Sequence, residues 1–458
     1  MARSPRALAA TICVLSGCAT TIRDPMAIRS PGERPPSPSL ARAPADDPPE
    51  AALGAVPTID DYVGYALAHN PGVEAARQRW RAAAERVPQV RALPDPQLTV
   101  GVFAEEVQTR TGPQQARVGV RQTFPWPGVL RNREDAASRE ALAAWREYEA
   151  ARLALIERVT AALAELAYLD AATRVTRQTL GLVRSFERVV RARYRVGAGS
   201  HPELIRAQVE LGLLEDRVAT LESLRPALVA ELNAALGRAG ADTAPAAPPP
   251  SDRVVTDSAD ALAALAREAN PRILALIERA EAERALVRAA RAGGYPDVTL
   301  GAEYIVTGEA VAPGVPGSGD DPVLVTLGVT LPLWREKERA AVREATARRL
   351  EQVGRREDES NRIDAAVRRA HFEHTDADRR ARLYEDTLIP KAEESLGASL
   401  AAFRAGDAAF LDVLDAERTF LEYALIAQRA RADRAIALAR LDALTAGAVS
   451  APAAETSP

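Results

Sequence analysis

The chain has 458 residues, 27% of them charged and only 4% aromatic, with a formal net charge of −4. Its Ala, Leu, Arg and Glu suit long packed helices better than one globular core, and so small a charge does not argue for nucleic acid or a polybasic membrane patch. After the first eighteen residues no run of about eighteen apolar residues occurs, so any membrane crossing by the body of the chain must use strands.

Arg3 and Arg6 precede the apolar run Ala7 to Leu15, and Leu15, Ser16, Gly17 and Cys18 read as a lipobox. Residues 1–17 are the expected signal peptide and Cys18 the acylated residue; the alternative is an ordinary secretory signal with a chance cysteine. Ala19 stands where an aspartate would favour the inner membrane, which points to the outer one. Cleavage removes Cys13 and lipidation consumes Cys18, which excludes disulfides, cysteine nucleophiles and thiolate metal sites together.

Residues 18–56 read as a Pro-rich tether, 240–256 as a linker and 447–458 as a disordered tail. Between them one pattern is written twice, over 57–239 and 257–446. Asn70-Pro71 and Asn270-Pro271 begin segments that align without a gap for some thirty residues, with Pro96/Pro296 and Thr99/Thr299 in register. Further on, Tyr194 to Gly197 pairs with Phe403 to Gly406 at an offset of 209 (406 − 197).

Each copy begins with a short helix (58–69, 258–269), an Asn-Pro break and a second helix to about 92 or 292. Two strands of period-two alternation follow, Gln97 to Glu105 with Arg117 to Phe124, then Val298 to Val306 with Val323 to Leu331. Loops are expected over Thr109 to Gln115 and Ala312 to Pro322. Long helices then run from Asn132 to Tyr194 and from Arg335 to Phe403, some sixty residues reaching about 90 Å. Leu155, Val159, Ala162, Leu166 and Leu169 keep the spacing of a helix-packing seam. The chain turns at Gly197 to Ser200 and at Gly406, and returns to Leu236, with a kink expected at Pro226, and to Leu444. Pro390 and Gly397 weaken the second outgoing arm.

One face of every strand is apolar and the other carries Thr, Gly, Arg or Glu, as suits lipid outside and water inside. Four strands cannot close a barrel, so several chains must share one, and three would supply about twelve strands. The alternative is a soluble β-subdomain packed on the helices.

The strand-end segment Gln122 to Gly128, the turns Tyr194 to Ser200 and Phe403 to Asp407, and the run Phe410 to Ala416 resemble the TolC-like outer-membrane efflux factors over about residues 57 to 446, most closely their lipidated subgroup. The resemblance implies a mainly α fold with a membrane β-barrel, two tandem repeats per chain, and a homotrimer with a twelve-stranded barrel and a helical periplasmic tunnel. It further implies a passive efflux duct in the outer membrane, with a periplasmic adaptor and an inner-membrane pump as partners and neither cofactor nor enzymatic activity. Type I protein secretion uses the same duct family and stays open, as, more distantly, does a periplasmic adaptor or structural lipoprotein.

In that family the helical tips meet the adaptor, which here assigns Gly197, Ser200, Gly406 and Asp407 to contact. Asp412 and Asp415 lie three apart on one helix face and would give six carboxylates in a trimer. The family's constriction uses the same motif, with Glu203 as the counterpart of Asp412. Phe403 and Ala408 replace a tyrosine and an arginine that lock the family's closed gate, so another closure, such as apolar packing, is expected. His371, Glu373 and His374 share one helical turn, but one turn supplies too few ligands for zinc, and a solvated helix face is the preferred reading. No phosphate-binding loop or nucleophile elbow is present.

Overall fold

The computed structural model describes residues 57–238 and 247–449. The expected signal, Cys18, the tether, the first part of the linker and the last nine residues lie outside them.

Each copy opens with a short capped helix, α1 (Ile59–His69) or α5 (Ala259–Ala269). Thr58 and Asp61 cap α1 reciprocally: the Asp61 N–H donates to Thr58 Oγ1 at 3.2 Å, and the Thr58 N–H donates to Asp61 Oδ2 at 2.8 Å. The Asn-Pro break ends each helix and starts α2 (Pro71–Arg91) or α6 (Pro271–Ala292). Proline suits that first position because its missing N–H would be unpaired there anyway.

The asparagine does two jobs. Asn70 Oδ1 accepts from the Gly72 N–H at 2.8 Å, while Nδ2 donates to the Ala235 carbonyl at 2.8 Å. Asn270 repeats both, to Arg272 at 2.9 Å and to the Leu444 carbonyl at 2.9 Å. Each Asn therefore caps one helix and pins the end of the returning helix of its own copy.

The strands are β1 (Gln97–Thr109), β2 (Gly112–Phe124), β3 (Val298–Thr307) and β4 (Val323–Val329). They form one antiparallel sheet in sequence order, so β2–β3 joins the copies. The first hairpin differs from expectation, closing in two residues, Arg110 and Thr111, where a loop over Thr109 to Gln115 was expected. The ladder runs on through Val107–Gln114 and Thr109–Gly112 after the apolar alternation has faded. Side-chain pattern reports burial, not backbone pairing, so it ends before the ladder does.

The sheet leads into α3 (Val129–Arg195), an unbroken 67-residue helix, which returns as α4 (His201–Leu236). Helix α4 continues through Pro226. The second arm is α7 (Arg335–Arg382), a π-helical turn at Leu383–Leu388, and α8 (Ile389–Ala405), returning as α9 (Phe410–Leu444). Among the described residues no helix is long and apolar enough to cross a membrane.

Helix α3 packs against α1, α2, α4, α6 and α9 and forms the spine of the bundle. Tyr62, Ala66 and Val73 bury against Leu155, Val159, Leu163 and Leu232 in the first copy. Leu262, Ala266 and Ile273 occupy the matching places against Ile363, Val367 and Leu441 in the second. Val255, expected in the linker, and Val449, expected in the tail, join this second core.

Candidate functional site: the sheet face and the helical tips

Cross-strand registers align the alternation of all four strands. Leu98, Val120, Ala302 and Val325 form one row, and Val100, Val118, Tyr304 and Val323 the next. Among the described residues nothing covers the face that these rows share: Leu98 is 69% exposed and Val325 75%. The opposite face carries Thr99, Gly119, Glu303 and the apolar Leu324 in one row, and Gln97, Arg121, Gly301 and Thr326 in another. Arg117 and Glu303 pair there at 3.6 Å. An apolar face this continuous and this bare requires an apolar surrounding.

The strand-end segment fixes the sheet to the bundle. The Trp126 N–H donates to Asp297 Oδ1 at 2.9 Å, its indole stacks on Tyr295 at 5.0 Å, and Gln122 Nε2 donates to the Pro94 carbonyl at 2.8 Å.

At the other end the two turns are built alike. The Ala198 N–H donates to the Arg193 carbonyl at 2.8 Å and the Gly197 N–H to the Tyr194 carbonyl at 3.1 Å; Asp407 to Ala402 at 2.9 Å and Gly406 to Phe403 at 3.2 Å repeat the pair. This Schellman pattern needs a left-handed residue, and Gly197 (φ 72°) and Gly406 (φ 90°) supply it. Gly197, Ser200, Gly406 and Asp407 are all exposed. Glu203 and Asp412 cap the returning helices, accepting from the Ser200 N–H at 3.1 Å and the Ala409 N–H at 3.0 Å. Asp412 and Asp415 are exposed on one face of α9 while Val413 and Leu414 between them are buried.

Behind the tips Phe186, Val190, Leu204, Phe403, Phe410 and Leu414 bury together and join the two hairpins. Phe403 meets Phe410 at 5.6 Å between ring centroids, and Arg193 lies over the Phe403 ring at 4.8 Å. Apolar packing plus a cation–π contact thus hold Phe403 between α3 and α9.

One turn deeper lie two buried carboxyls, Glu210 and Glu417, beside the exposed Arg418. Arg418 donates from Nε to Glu210 Oε2 at 2.9 Å, linking α9 to α4. Beside them Glu417 is 1% exposed, and neither carboxyl oxygen has a hydrogen-bond partner. Burial away from water, with the Glu210 carboxylate close by, pushes its carboxyl up to about 7 against an opposing pull from Arg418.

The profile of the outer membrane efflux protein family matches residues 63–238 and 262–447, one match to each copy of the repeat. The chain belongs to that family. Its function is that of an outer-membrane efflux duct. Among solved structures this efflux protein is similar to the outer membrane protein VceC of Vibrio cholerae, with 22% identity, a TM-score of 0.70, and 86% of this chain and 97% of that one covered. CusC gives 16%, 0.74, and 90% and 98%. The open state of the Neisseria gonorrhoeae MtrE channel gives 19%, 0.68, and 86% and 89%. None of the curated proteins matches the sequence.

Sequence reasoning missed several functional features of the efflux protein. Ser200 with Glu203 three residues on is a capping box, readable in advance. His371 turns its Nε2 toward the carbonyl of Asp257 at the start of the second copy (3.2 Å) and His374 toward the linker carbonyl of Arg253 (3.3 Å), while Glu373 accepts from Arg440 at 3.2 Å. Burial lowers the pKa of the His374 ring below its usual value. Arg253 binds Asp442, and Asp252 binds Arg434, so this group clamps the linker to α7 and α9. Glu417 gave no signal, because a Glu-Arg pair in a helix reads as solvated surface.

Proposed function

We propose that three copies of the chain close their sheets into a twelve-stranded barrel and their helices into a periplasmic tunnel. The observation that carries this reading is the one-sided sheet, with an apolar face left bare and with β1 and β4 as outer strands. Unpaired strand edges in lipid cost several kcal/mol per backbone group, roughly the cost of any unmade hydrogen bond in an apolar medium, so the edges must meet other chains. Acyl chains on Cys18 hold the assembly to the outer membrane. Gly197, Ser200, Gly406 and Asp407 meet a periplasmic adaptor, which couples the duct to an inner-membrane pump, and the duct itself catalyses nothing.

Asp412 and Asp415, seconded by Glu203, ring the narrow end and draw cations to it. Their place at the start of α9, with Asp412 fixed by the Ala409 N–H, supports this role. Replacing both aspartates by asparagine keeps an acceptor for that N–H and removes six charges from a trimer. In planar bilayers the variant is expected to lose cation selectivity and block by multivalent cations added on the periplasmic side. Unchanged selectivity and block would remove these carboxylates from the pore. The anchor is tested separately: Cys18→Ala should incorporate no labelled fatty acid.

A further inference from the structure

The residues assigned above leave Glu417 unused. It lies within one turn of the exposed Asp415 yet points inward, where Leu414 and Leu421 on α9 are also buried. A neutral carboxyl can remain in such a place at modest cost, whereas an ionised one without a partner cannot. The charges around it are few. Helix α4 presents Glu210, already held by Arg418 of α9. On the same stretch of α3 the buried carboxylate is Glu187, held by Arg191. The charged residues of α8, namely Lys391, Glu393, Glu394 and Arg404, are exposed. Among the described residues the cation beside Glu417 is Arg418, which is therefore committed to a competitor. In the first copy the position at the same offset of 209 (417 − 208) is Gln208, an exposed and uncharged residue. The device exists on one returning helix only.

We propose that Glu417 is a proton-operated latch on the tip. Neutral, it lets the first turns of α9 lie against α3 and α4; ionised, it competes with Glu210 for Arg418 and drives those turns apart. The sign follows from burial. The carboxyl titrates near 7, above its ordinary 4.5, so the packed tip is fully favoured below 4.5 and loses that support as the pH rises through about 7. Acid tightens the tip and mild alkali loosens it. Only the consequence for flow rests on reading the tip as the narrow end of the duct.

Hydrogen exchange on the full-length assembly in lipid nanodiscs, corrected for intrinsic rates, tests the latch between about pH 5.5 and 8.5. Peptides from 201–214 and 403–421 should lose protection about ten-fold with a midpoint near 7, while 155–166 at the far end of α3 stays protected. Glu417→Gln should keep the tip protected throughout. Glu210→Gln removes the competitor and frees Arg418 for Glu417, so its midpoint should fall toward the ordinary carboxylate range. Flat protection in the parent overturns the proposal, as does a transition that survives in Glu417→Gln. Should that variant not assemble, an unchanged midpoint in Glu210→Gln overturns it equally. Bilayer conductance that rises with the same midpoint supports both the latch and the tip as constriction. A protection change without a conductance change supports the latch and removes the constriction from the tip.

Discussion

The two outgoing arms do the same work with different lengths of chain. Leu155 and Val159 of α3 correspond to Ile363 and Val367 of α7 in their respective cores, at an offset of 208 (363 − 155). The tip glycines correspond at 209 (406 − 197). Between these levels the second arm has one extra residue, and there the structure places the π turn Leu383–Leu388. A π turn widens the helix by one residue and leaves the flanks in phase, a common way to absorb an insertion. Pro390 follows directly; in an uninterrupted α-helix its ring would press on the carbonyl four residues back. The lesson is that a mismatch in length is absorbed locally, so both ends of the arm keep their partners.

Deleting one residue at a time is the sharpest way to break this comparison. Loss of Thr173 from α3 turns everything beyond it by about 100°, taking Phe186 and Val190 out of the tip core and Val183 out of the cluster beside it, and should abolish the assembly that heat-modified gel migration detects. Next in size, arginine at Val120 or Leu327 on the bare sheet face should destabilise by about 2–4 kcal/mol in lipid, whereas arginine at Thr299 should be tolerated; equal tolerance in unfolding titrations would favour a soluble sheet. Asn70→Ala and Asn270→Ala should each cost about 1 kcal/mol for the lost cap, plus about 1 kcal/mol for the lost bond to the returning helix. Unequal costs would show that the copies are not pinned alike. The smallest effect belongs to the π turn: deletion of Thr387 together with Pro390→Ala should leave assembly and thermal unfolding near the parent values.

The regular parts of this fold were legible because period and punctuation report them directly. Alternation fixed the apolar face of β1 to β4, Asn-Pro fixed the breaks before α2 and α6, and Gly197 and Gly406 fixed the turns. The π turn was hidden because a one-residue insertion barely disturbs a helical pattern, although the shift from 208 to 209 held its trace. The tight turn at Arg110 and Thr111 was hidden because ladder pairing outlasts the apolar signal. The setting of Glu417 was out of reach for a different reason: which face of α9 is covered depends on α3 and α4, which lie far away in sequence.

The ladder between β2 and β3 sets the order of events during folding. Thr123 and Thr299, whose hydroxyls lie 3.1 Å apart across it, are separated by 176 residues of chain. Closing so long a loop is slow, and contacts of this separation come late. In the proposed barrel, the first hairpin by itself would have an edge still unpaired, and an unpaired edge keeps it out of lipid. Membrane insertion must therefore wait for the second copy, so a chain truncated before β3 should accumulate in the periplasm and not as half a wall in the bilayer.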